Sequence, residues 1–156
     1  MSPNQADSPG VRIPPPLIFL GGLAIGLVLS SWEPTAYLDR DIARPLGGIL
    51  IGIGMLLALS AVRVFFQART NLRPDRPSSA LVRTGPYRFT RNPMYVSLTI
   101  VYGGVAVMMQ SLWSLLLLTL VLAFIRIKVI EREEAYMERR FGAEYLRYKS
   151  EVRRWV

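Results

Sequence analysis

TGPYRFTRNPMY, residues 84 to 95, lies where a basic polar segment meets a long apolar one. The Gly85-Pro86 pair indicates a turn, and Pro93 disfavours helical geometry at the residue before it. Asn92 is therefore predicted as the N-cap of a new helix, with its side-chain oxygen accepting from a backbone N–H two or three residues later. The chain is expected to bend here and to enter an apolar helix.

The start of this helix is also a candidate binding site. The first N–H groups of a helix have no partner within it, and here they would point to the polar side beside Arg88 and Arg91, a suitable place for a carboxylate or phosphate. The alternative is a capped helix that enters the membrane with Arg and Tyr95 as interfacial anchors. The local sequence alone leaves both interpretations open.

Composition predicts an integral membrane protein. The 156 residues are 51% hydrophobic and only 19% charged, with a mean hydropathy of +0.30, unlike an ordinary soluble domain. The net charge of +8 is concentrated beside apolar runs, so it indicates membrane orientation and headgroup contacts, and no nucleic-acid partner is expected. With no Cys and no His, disulfides, a thiol nucleophile, an imidazole base and the usual zinc ligands are excluded, and no metal site is predicted.

Four apolar runs predict an all-α, multi-pass membrane protein with a cytosolic C-terminal helical segment. Each run is near the ~17 to 25 residues needed to cross a bilayer. The third and fourth are separated by a short break, which indicates a helical hairpin, and the first lacks a cleavage site and is expected to be retained. The prediction is a disordered tail over residues 1–16, then one domain over residues 17–156 with spans at 17–32, 45–66, 94–109 and 112–130.

The distribution of arginine predicts the orientation. The loop over residues 67–92 carries six Arg against the single acid Asp75, an excess that marks the cytoplasmic side of a membrane. The fourth run also ends among basic residues, so both termini are predicted to be cytoplasmic and the connection over residues 33–44 to lie outside. The expected location is a bacterial inner membrane. The six are Arg69, Arg73, Arg76, Arg83, Arg88 and Arg91.

Two small-residue motifs predict close helix packing. Gly22 and Gly26 in the first span, and Gly48 and Gly52 in the second, each lie four residues apart on one helix face. The motifs could pack against each other or support a dimer, so both a monomer and a homodimer stay open. The alternative is that glycine is simply common in membrane helices.

A second constellation follows the fourth span. An apolar stripe continues at helical spacing through the polar residues that follow, and it includes Glu134. Neither Glu133 nor Glu134 has a positive residue three or four positions away on its own helix. Their partners are therefore expected elsewhere, either an Arg of the central loop or a cationic ligand. Gly142 is predicted to end this helix with a left-handed cap. The stripe consists of Ile127, Ile130, Glu134, Met137 and Phe141.

Five short motifs, taken in their order and spacing, resemble the isoprenylcysteine carboxyl methyltransferase and phospholipid methyltransferase group. The resemblance covers roughly residues 45 to 156, and many members carry His where this chain has Asn92. Members are small multi-pass membrane enzymes that move a methyl group from S-adenosylmethionine to an acceptor delivered through the bilayer. The motifs are Gly85-Pro86-Tyr87-Arg88, Arg91-Asn92-Pro93-Met94-Tyr95, Glu133-Glu134, Phe141-Gly142-x-Glu144-Tyr145-x-x-Tyr148 and Val152-Arg153-Arg154-Trp155.

The resemblance implies S-adenosylmethionine as cofactor and assigns site residues at the matching positions. Glu134, Arg88 and Arg154 are implied as catalytic residues, the two arginines as contacts to an anionic acceptor. The C-terminal segment is implied to close the cofactor site, and the alternative is an interfacial anchor built from aromatic residues such as Tyr145 and Tyr148. The implied cofactor-binding residues are Tyr87, Arg91, Asn92, Pro93, Tyr95, Glu133 and Glu134.

The acceptor is expected to be a lipid or a lipophilic small molecule that is methylated on a carboxylate, amine or thiol. A carboxylate needs no general base, whereas an amine or thiol would pass a proton to a carboxylate such as Glu134 or to a Tyr. Two other functions stay open: a sterol-reductase-like enzyme that uses NADPH, and a non-catalytic module that assembles through its helices and binds lipid through its basic loops. Stabilisation by S-adenosylhomocysteine, by NADP or by neither would distinguish the three.

Overall fold

The structure, a computed structural model, describes residues 13–34, 36–68 and 80–156. The regular elements within these ranges are all helical, which confirms the all-α prediction. Most of the predicted tail, and Arg69, Arg73, Asp75 and Arg76 of the central loop, lie outside the described residues. The elements are α1 (Pro15–Trp32), α2 (Arg40–Gln67), a 3₁₀ turn (Gly85–Arg88), α3 (Pro93–Met108), α4 (Leu112–Ile125), a π-turn (Arg126–Ile130), α5 (Glu131–Phe141) and α6 (Ala143–Glu151).

Within these ranges, three helical segments are long and apolar enough to cross a membrane: α1, α2, and the continuous helix that α4, the π-turn and α5 form over residues 112–141. The apolar helix α3 has 16 residues, a rise of about 24 Å against a hydrocarbon core of about 30 Å. The crossing by α3 therefore stays a prediction. Helix α2 begins at Arg40 rather than at residue 45, because Asp39 caps it by accepting from the Asp41 N–H at 2.8 Å.

A tight turn at residues 109–111 joins α3 to α4, as the break in the apolar pattern predicts. Gln110 has a positive φ of 55°, and its Oε1 accepts from the backbone N–H groups of Tyr37 and Leu38, both at 3.2 Å. Ser111 begins α4 by accepting from the Ser114 N–H at 3.1 Å. The connection between α1 and α2 is therefore tied to the hairpin turn at one end of the bundle.

Glycines set the closest contacts between α2 and α3, but they are not the glycines that the motif predicts. A Cβ added to Gly47 would lie 2.5 Å from Gly104 O, and one added to Gly54 would lie 2.9 Å from Ser97 O. Gly52 has nothing within 4 Å of that position. The second motif therefore does not pack closely within the described part of the chain, because the contact face of α2 repeats every seven residues and misses Gly52. Its use in a dimer stays a prediction.

The first motif does pack closely, but against α4. An added Cβ would lie 2.5 Å from Val121 at Gly22 and 2.4 Å from Ser114 at Gly26. Helix α1 thus lies against α4 and α3, while α2 lies along α3. The buried residues of the core between α1, α3 and the last long helix are Phe19, Tyr102, Ala106, Val121, Ile125, Val129 and Ile130.

The π-turn changes which residues of the last long helix face inward. A π-turn winds more residues into one turn than an α-helix does, so the predicted stripe is out of register within it: Ile127 is 54% exposed, whereas Ile125 and Ile130 are buried. The stripe is confirmed beyond the π-turn, where Glu134 is 6% exposed. Gly142 ends α5 as predicted, but with φ 52° and ψ −127°, which is a glycine-favouring region distinct from the left-handed helical cap.

Candidate functional site

One end of the bundle gathers most of the residues that the sequence motifs contain. The loop before α3, the start of α3, the polar helix α5 and the segment after α6 meet there. Because α5 continues the last long helix beyond its apolar part, its carboxylates reach the loop before α3. Three stretches that are distant in sequence thus form one cluster: residues 90–95, Glu133 and Glu134 of α5, and residues 153–154 after α6.

Glu134 is at the centre of this cluster. Its buried carboxylate accepts from Arg154 twice, from Nε to Oε1 at 2.9 Å and from Nη2 to Oε2 at 2.8 Å. Arg91 Nη2 lies 3.4 Å from the same Oε1. The partner expected away from its own helix is therefore a pair of arginines, one from the central loop and one from the C-terminal segment. A bidentate pair fixes orientation as well as charge, and this hydrogen bonding raises the pKa of Arg154.

Two guanidinium groups, those of Arg91 and Arg154, face the one carboxylate of Glu134. The Arg91 side chain is 9% exposed, and the Tyr145 hydroxyl lies close enough to interact with its guanidinium group. The Nε and Nη1 groups are buried and have no partner within hydrogen-bond distance among the described residues. A buried donor without an acceptor is unfavourable. These two N–H groups therefore fit an anionic ligand group such as a carboxylate.

The neighbouring carboxylate, Glu133, has a different environment. Its Oε1 accepts from the Tyr95 hydroxyl at 2.8 Å, and it forms no ion pair within the part of the chain that the structure describes. Tyr95 lies in the first turn of α3, so this bond ties α5 to the helix start. Two adjacent carboxylates with unlike partners are suited to unlike roles.

The C-terminal segment, residues 152–156, is held across the end of the loop before α3. The Arg91 N–H donates to Arg153 O at 3.0 Å. Thr90 Oγ1 and Asn92 Nδ2 both donate to Arg154 O, at 3.2 and 2.9 Å. These three bonds fix the backbone at Arg154 and so direct its guanidinium group into the cluster.

Asn92 occupies the predicted N-cap position, but its side chain does not cap α3. Its amide donates to the C-terminal segment instead, so the predicted acceptor role is wrong. Its backbone oxygen accepts from the N–H groups of Tyr95 and Val96, both at 3.0 Å. Pro93 has no N–H, and the N–H of Tyr95 is already bonded to Asn92 O. Of the N–H groups expected to face a ligand in this first turn, that of Met94 therefore remains.

Thr90 belongs to the site, although the sequence analysis does not single it out. It is 4% exposed, and its hydroxyl accepts from the Asn92 N–H at 3.2 Å while it donates to Arg154 O. A Thr that bonds to the N–H two residues later is a recurrent local turn, and that signal is present in the sequence. The second bond joins positions 64 residues apart, which no local pattern indicates.

Tyr145 and Tyr148 of α6 face the protein interior, so the interpretation of them as interfacial anchors is wrong. Both are 4% exposed, and Tyr148 OH donates to Tyr87 O at 2.7 Å. The ring of Phe65 packs on Tyr87 with 5.3 Å between centroids. Burial, and next the charge of Glu134, raise the pKa of Tyr145 to about 12. These rings form an aromatic layer between α2, the 3₁₀ turn and α6, in which the Tyr145 hydroxyl stays protonated at neutral pH.

Arg88 is not brought into the cluster. It ends the 3₁₀ turn, is exposed, and forms no ion pair with the described residues. The preceding Tyr87 turns the other way and is 7% exposed. The predicted site residues that lie in or beside the cluster are Tyr87, Arg91, Asn92, Pro93, Tyr95, Glu133, Glu134 and Arg154.

Comparison with known proteins gives one short match and one long one. An uncharacterized protein of Haemophilus influenzae is 63% identical over 27 residues, which are 17% of this chain and 43% of that protein. The family model of the phospholipid methyltransferases matches residues 42–144, about two thirds of the chain. That range includes α2 from its third residue, the loop before α3, the hairpin, and Glu133 and Glu134 of α5. The chain therefore belongs to the phospholipid methyltransferase family.

Proposed function

We propose that this protein is a membrane methyltransferase that uses S-adenosylmethionine and methylates a lipophilic acceptor delivered from the bilayer. The observation that carries the proposal is the guanidinium of Arg91, two of whose buried N–H groups have no partner among the described residues and lie beside carboxylates at the start of an apolar helix. In a member of the phospholipid methyltransferase family, a guanidinium with two N–H groups open to a ligand, next to a carboxylate that is hydrogen-bonded by a tyrosine, suits a zwitterionic ligand that carries a further positive charge.

The residues present fit this cofactor. Arg91 would bind its carboxylate, and Glu133 with Tyr95 would bind a positive group. When bound, the sulfonium supplies a methyl group that is already activated for transfer. The protein has to hold the two reactants at reacting distance and exclude water. The other predicted cofactor-binding residues are Tyr87, Asn92, Pro93 and Glu134.

Within this proposal, Glu134 holds the two arginines rather than accepting a proton, because guanidinium groups occupy both of its oxygens. If the acceptor is an amine or thiol, Glu133 is the better proton acceptor, since a neutral tyrosine is its hydrogen-bond partner. Arg154 positions the cluster through Glu134. The exposed Arg88 is available to an anionic acceptor.

The proposal includes a location. Because S-adenosylmethionine is a cytosolic compound, the cluster would lie on the cytoplasmic side of a bacterial inner membrane, with both termini cytoplasmic and α3 as a fourth span. The phospholipid methyltransferase match and the apolar helices support a membrane setting. A monomer and a homodimer are both compatible with it.

The test is the melting temperature of the purified protein in detergent with S-adenosylhomocysteine or with NADP. S-adenosylhomocysteine should raise it, and Arg91→Gln should weaken that effect by roughly tenfold or more in apparent affinity, about 1.4 kcal/mol. Arg147→Gln, which removes an exposed arginine of α6, is the matched control and should respond like the wild type. Stabilisation by NADP alone would favour a reductase, and no response to either would favour a non-catalytic membrane module.

The acceptor class is found by a second experiment. Membrane lipid extract is incubated with the protein and methyl-labelled S-adenosylmethionine, and the labelled products are separated by headgroup chemistry. Labelled product that requires Arg91 would identify the acceptor. If S-adenosylhomocysteine binds but no lipid is labelled, the acceptor is a lipophilic small molecule that is absent from the membrane lipid extract.

A further inference from the structure

A cleft of about 600 Å³ lies at the opposite end of the bundle from Glu134, between the α1–α2 connection and the hairpin turn. Pockets of this volume commonly hold small ligands. Gln110 lies in its wall and binds the backbone of the connection through Tyr37 and Leu38, so the two sides of the cleft are held together. The lining residues used below are Ser30, Arg40, Arg44, Met108, Met109 and Gln110.

Arg40 and Arg44 give this wall two positive charges. They lie four residues apart at the start of α2, and neither forms an ion pair with a described residue. The carboxylates of the connection, Glu33, Asp39 and Asp41, are not part of the wall. Asp39 instead accepts from a backbone N–H of α2. Among the described residues of the wall, two are cations and none is a carboxylate.

The arrangement of these arginines is unfavourable when nothing is bound. Like charges at this spacing repel one another, and cations in the first turns of a helix oppose the helix dipole; Asp41 in the same turn offsets part of both effects. An anion between Arg40 and Arg44 would remove the repulsion and satisfy both guanidinium groups. Planar guanidinium groups bind the oxygens of phosphate especially well. We propose that this cleft is a phosphate-binding site for the headgroup of a phospholipid.

The surroundings favour a lipid as the source of the phosphate. The cleft lies at the end of the apolar helix α1, with Ser30 and Pro34 in its wall. The last residue of that helix, Trp32, is 76% exposed. The wall of the cleft also contains the thioether side chains of Met108 and Met109, and Met109 is 59% exposed. Exposed Trp and Arg side chains at the ends of apolar helices are typical of the headgroup level of a bilayer. A phosphodiester with an apolar remainder matches both parts of this wall.

The experiment measures the melting temperature of the full chain in detergent with phosphatidylglycerol, with diacylglycerol, which lacks the phosphate, and with inorganic phosphate. Phosphatidylglycerol should raise it by several degrees and diacylglycerol should not. The double variant Arg40→Gln/Arg44→Gln should need at least about fivefold more phosphatidylglycerol for the same shift, about 1 kcal/mol. Arg63→Gln, an exposed arginine further along the same helix, is the control and should respond like the wild type.

The melting temperature without lipid and the response to inorganic phosphate distinguish the remaining outcomes. Without lipid, the double variant should melt no lower than the wild type, because two like charges have been removed, and a lower value would contradict the repulsion on which the proposal rests. No response of the wild type to phosphatidylglycerol, or an equal response of the double variant, would overturn the site. Stabilisation by inorganic phosphate alone, lost in the double variant, would support the phosphate site and overturn its assignment to a lipid.

Discussion

At the scale of single residues, Glu134 carries the connection between the loop before α3 and the C-terminal segment. Its carboxylate binds a guanidinium group from each side, and no other described carboxylate of the chain does this. Removal of its charge would leave Arg91 and Arg154 facing each other in a largely buried place. The fold near the cluster should therefore respond to Glu134 even when no ligand is present.

We expect Glu134→Gln to lower the free energy of unfolding by about 2 kcal/mol or more, because breaking a buried ion pair leaves an uncompensated charge. The effect should lie below that of a fully buried pair, since the Arg154 side chain is 26% exposed. A ligand-free melting curve measures it. Glu131→Gln is the control: its side chain is 47% exposed and lies 3.8 Å from Arg126, so it should change little. Equal melting of the two variants would contradict this assignment.

Asn92 gives a second prediction that separates a donor from an acceptor. Because its amide donates to Arg154 O, Asn92→Asp should destabilise the protein by about 1 to 2 kcal/mol, placing a carboxylate oxygen against a carbonyl oxygen. A side chain that capped α3 as an acceptor would tolerate Asp well. Melting curves of Asn92→Asp and Asn92→Ala decide between them. An Asp variant as stable as the wild type would restore the capping role.

The sequence predicts these residues as important but not what they bind. The absence of a cation three or four residues from Glu134 is visible in the sequence, and it correctly indicates a partner elsewhere. The identity of that partner depends on where residues 152–155 lie, and an irregular segment has no periodicity from which to predict its path. Thr90 is missed for the same reason, since its long bond is to a backbone oxygen of that segment.

At the scale of elements, the contact between α2 and α3 is set by glycines spaced by two helical turns. We expect Gly54→Ala to lower stability by about 1 to 3 kcal/mol, because the new methyl group would meet the Val101 side chain at 2.6 Å and Ser97 O at 2.9 Å, and overpacking is destabilising. Gly52→Ala is the matched control, two positions away on the same helix, and should be neutral or slightly stabilising. Unfolding in a denaturing detergent measures both. Similar losses would mean that α2 packs through a different face.

The sequence predicts which segments form helices better than it predicts which face of a helix packs against its neighbour. Apolar runs of near-spanning length leave few alternatives to helices, and the hairpin turn follows from the break at residues 109–112. The small-residue motif in α2 is misleading because many faces of a membrane helix contain glycine, and only the partner helix selects one. The start of α2 extends beyond its apolar run because Asp39 supplies a cap.

At the scale of the whole molecule, the bond from the Arg91 N–H to Arg153 O requires the loop before α3 and the C-terminal segment to lie on the same side of a membrane. Reporter fusions after Asp75 and after Val156 should therefore report the same compartment, predicted to be the cytoplasm. A fusion near Thr35 should report the opposite face. Asp75 and Thr35 lie outside the described residues, so the fusions test the topology independently. Opposite compartments for the first two fusions would contradict the assembled cluster.

The membrane class and the family are predicted from composition and motif order, and both are shown by the helices and the family match. The number of crossings does not follow from helix length alone, because α3 is about 6 Å shorter than a typical hydrocarbon core. Local thinning of the bilayer or burial of its ends against neighbouring helices would make up that difference. Neither is encoded in the apolar run itself.

The π-turn at residues 126–130 has a consequence for how relatives of this chain can differ in length. One extra residue is absorbed there without turning the helix beyond it, so the loss of one residue, such as the exposed Lys128, would restore a regular helix and leave Glu134 pointing inward. The loss of two would rotate α5 by about 100° and carry Glu134 away from both arginines. Single-residue gaps are therefore to be expected in alignments at this point, and gaps of two are not.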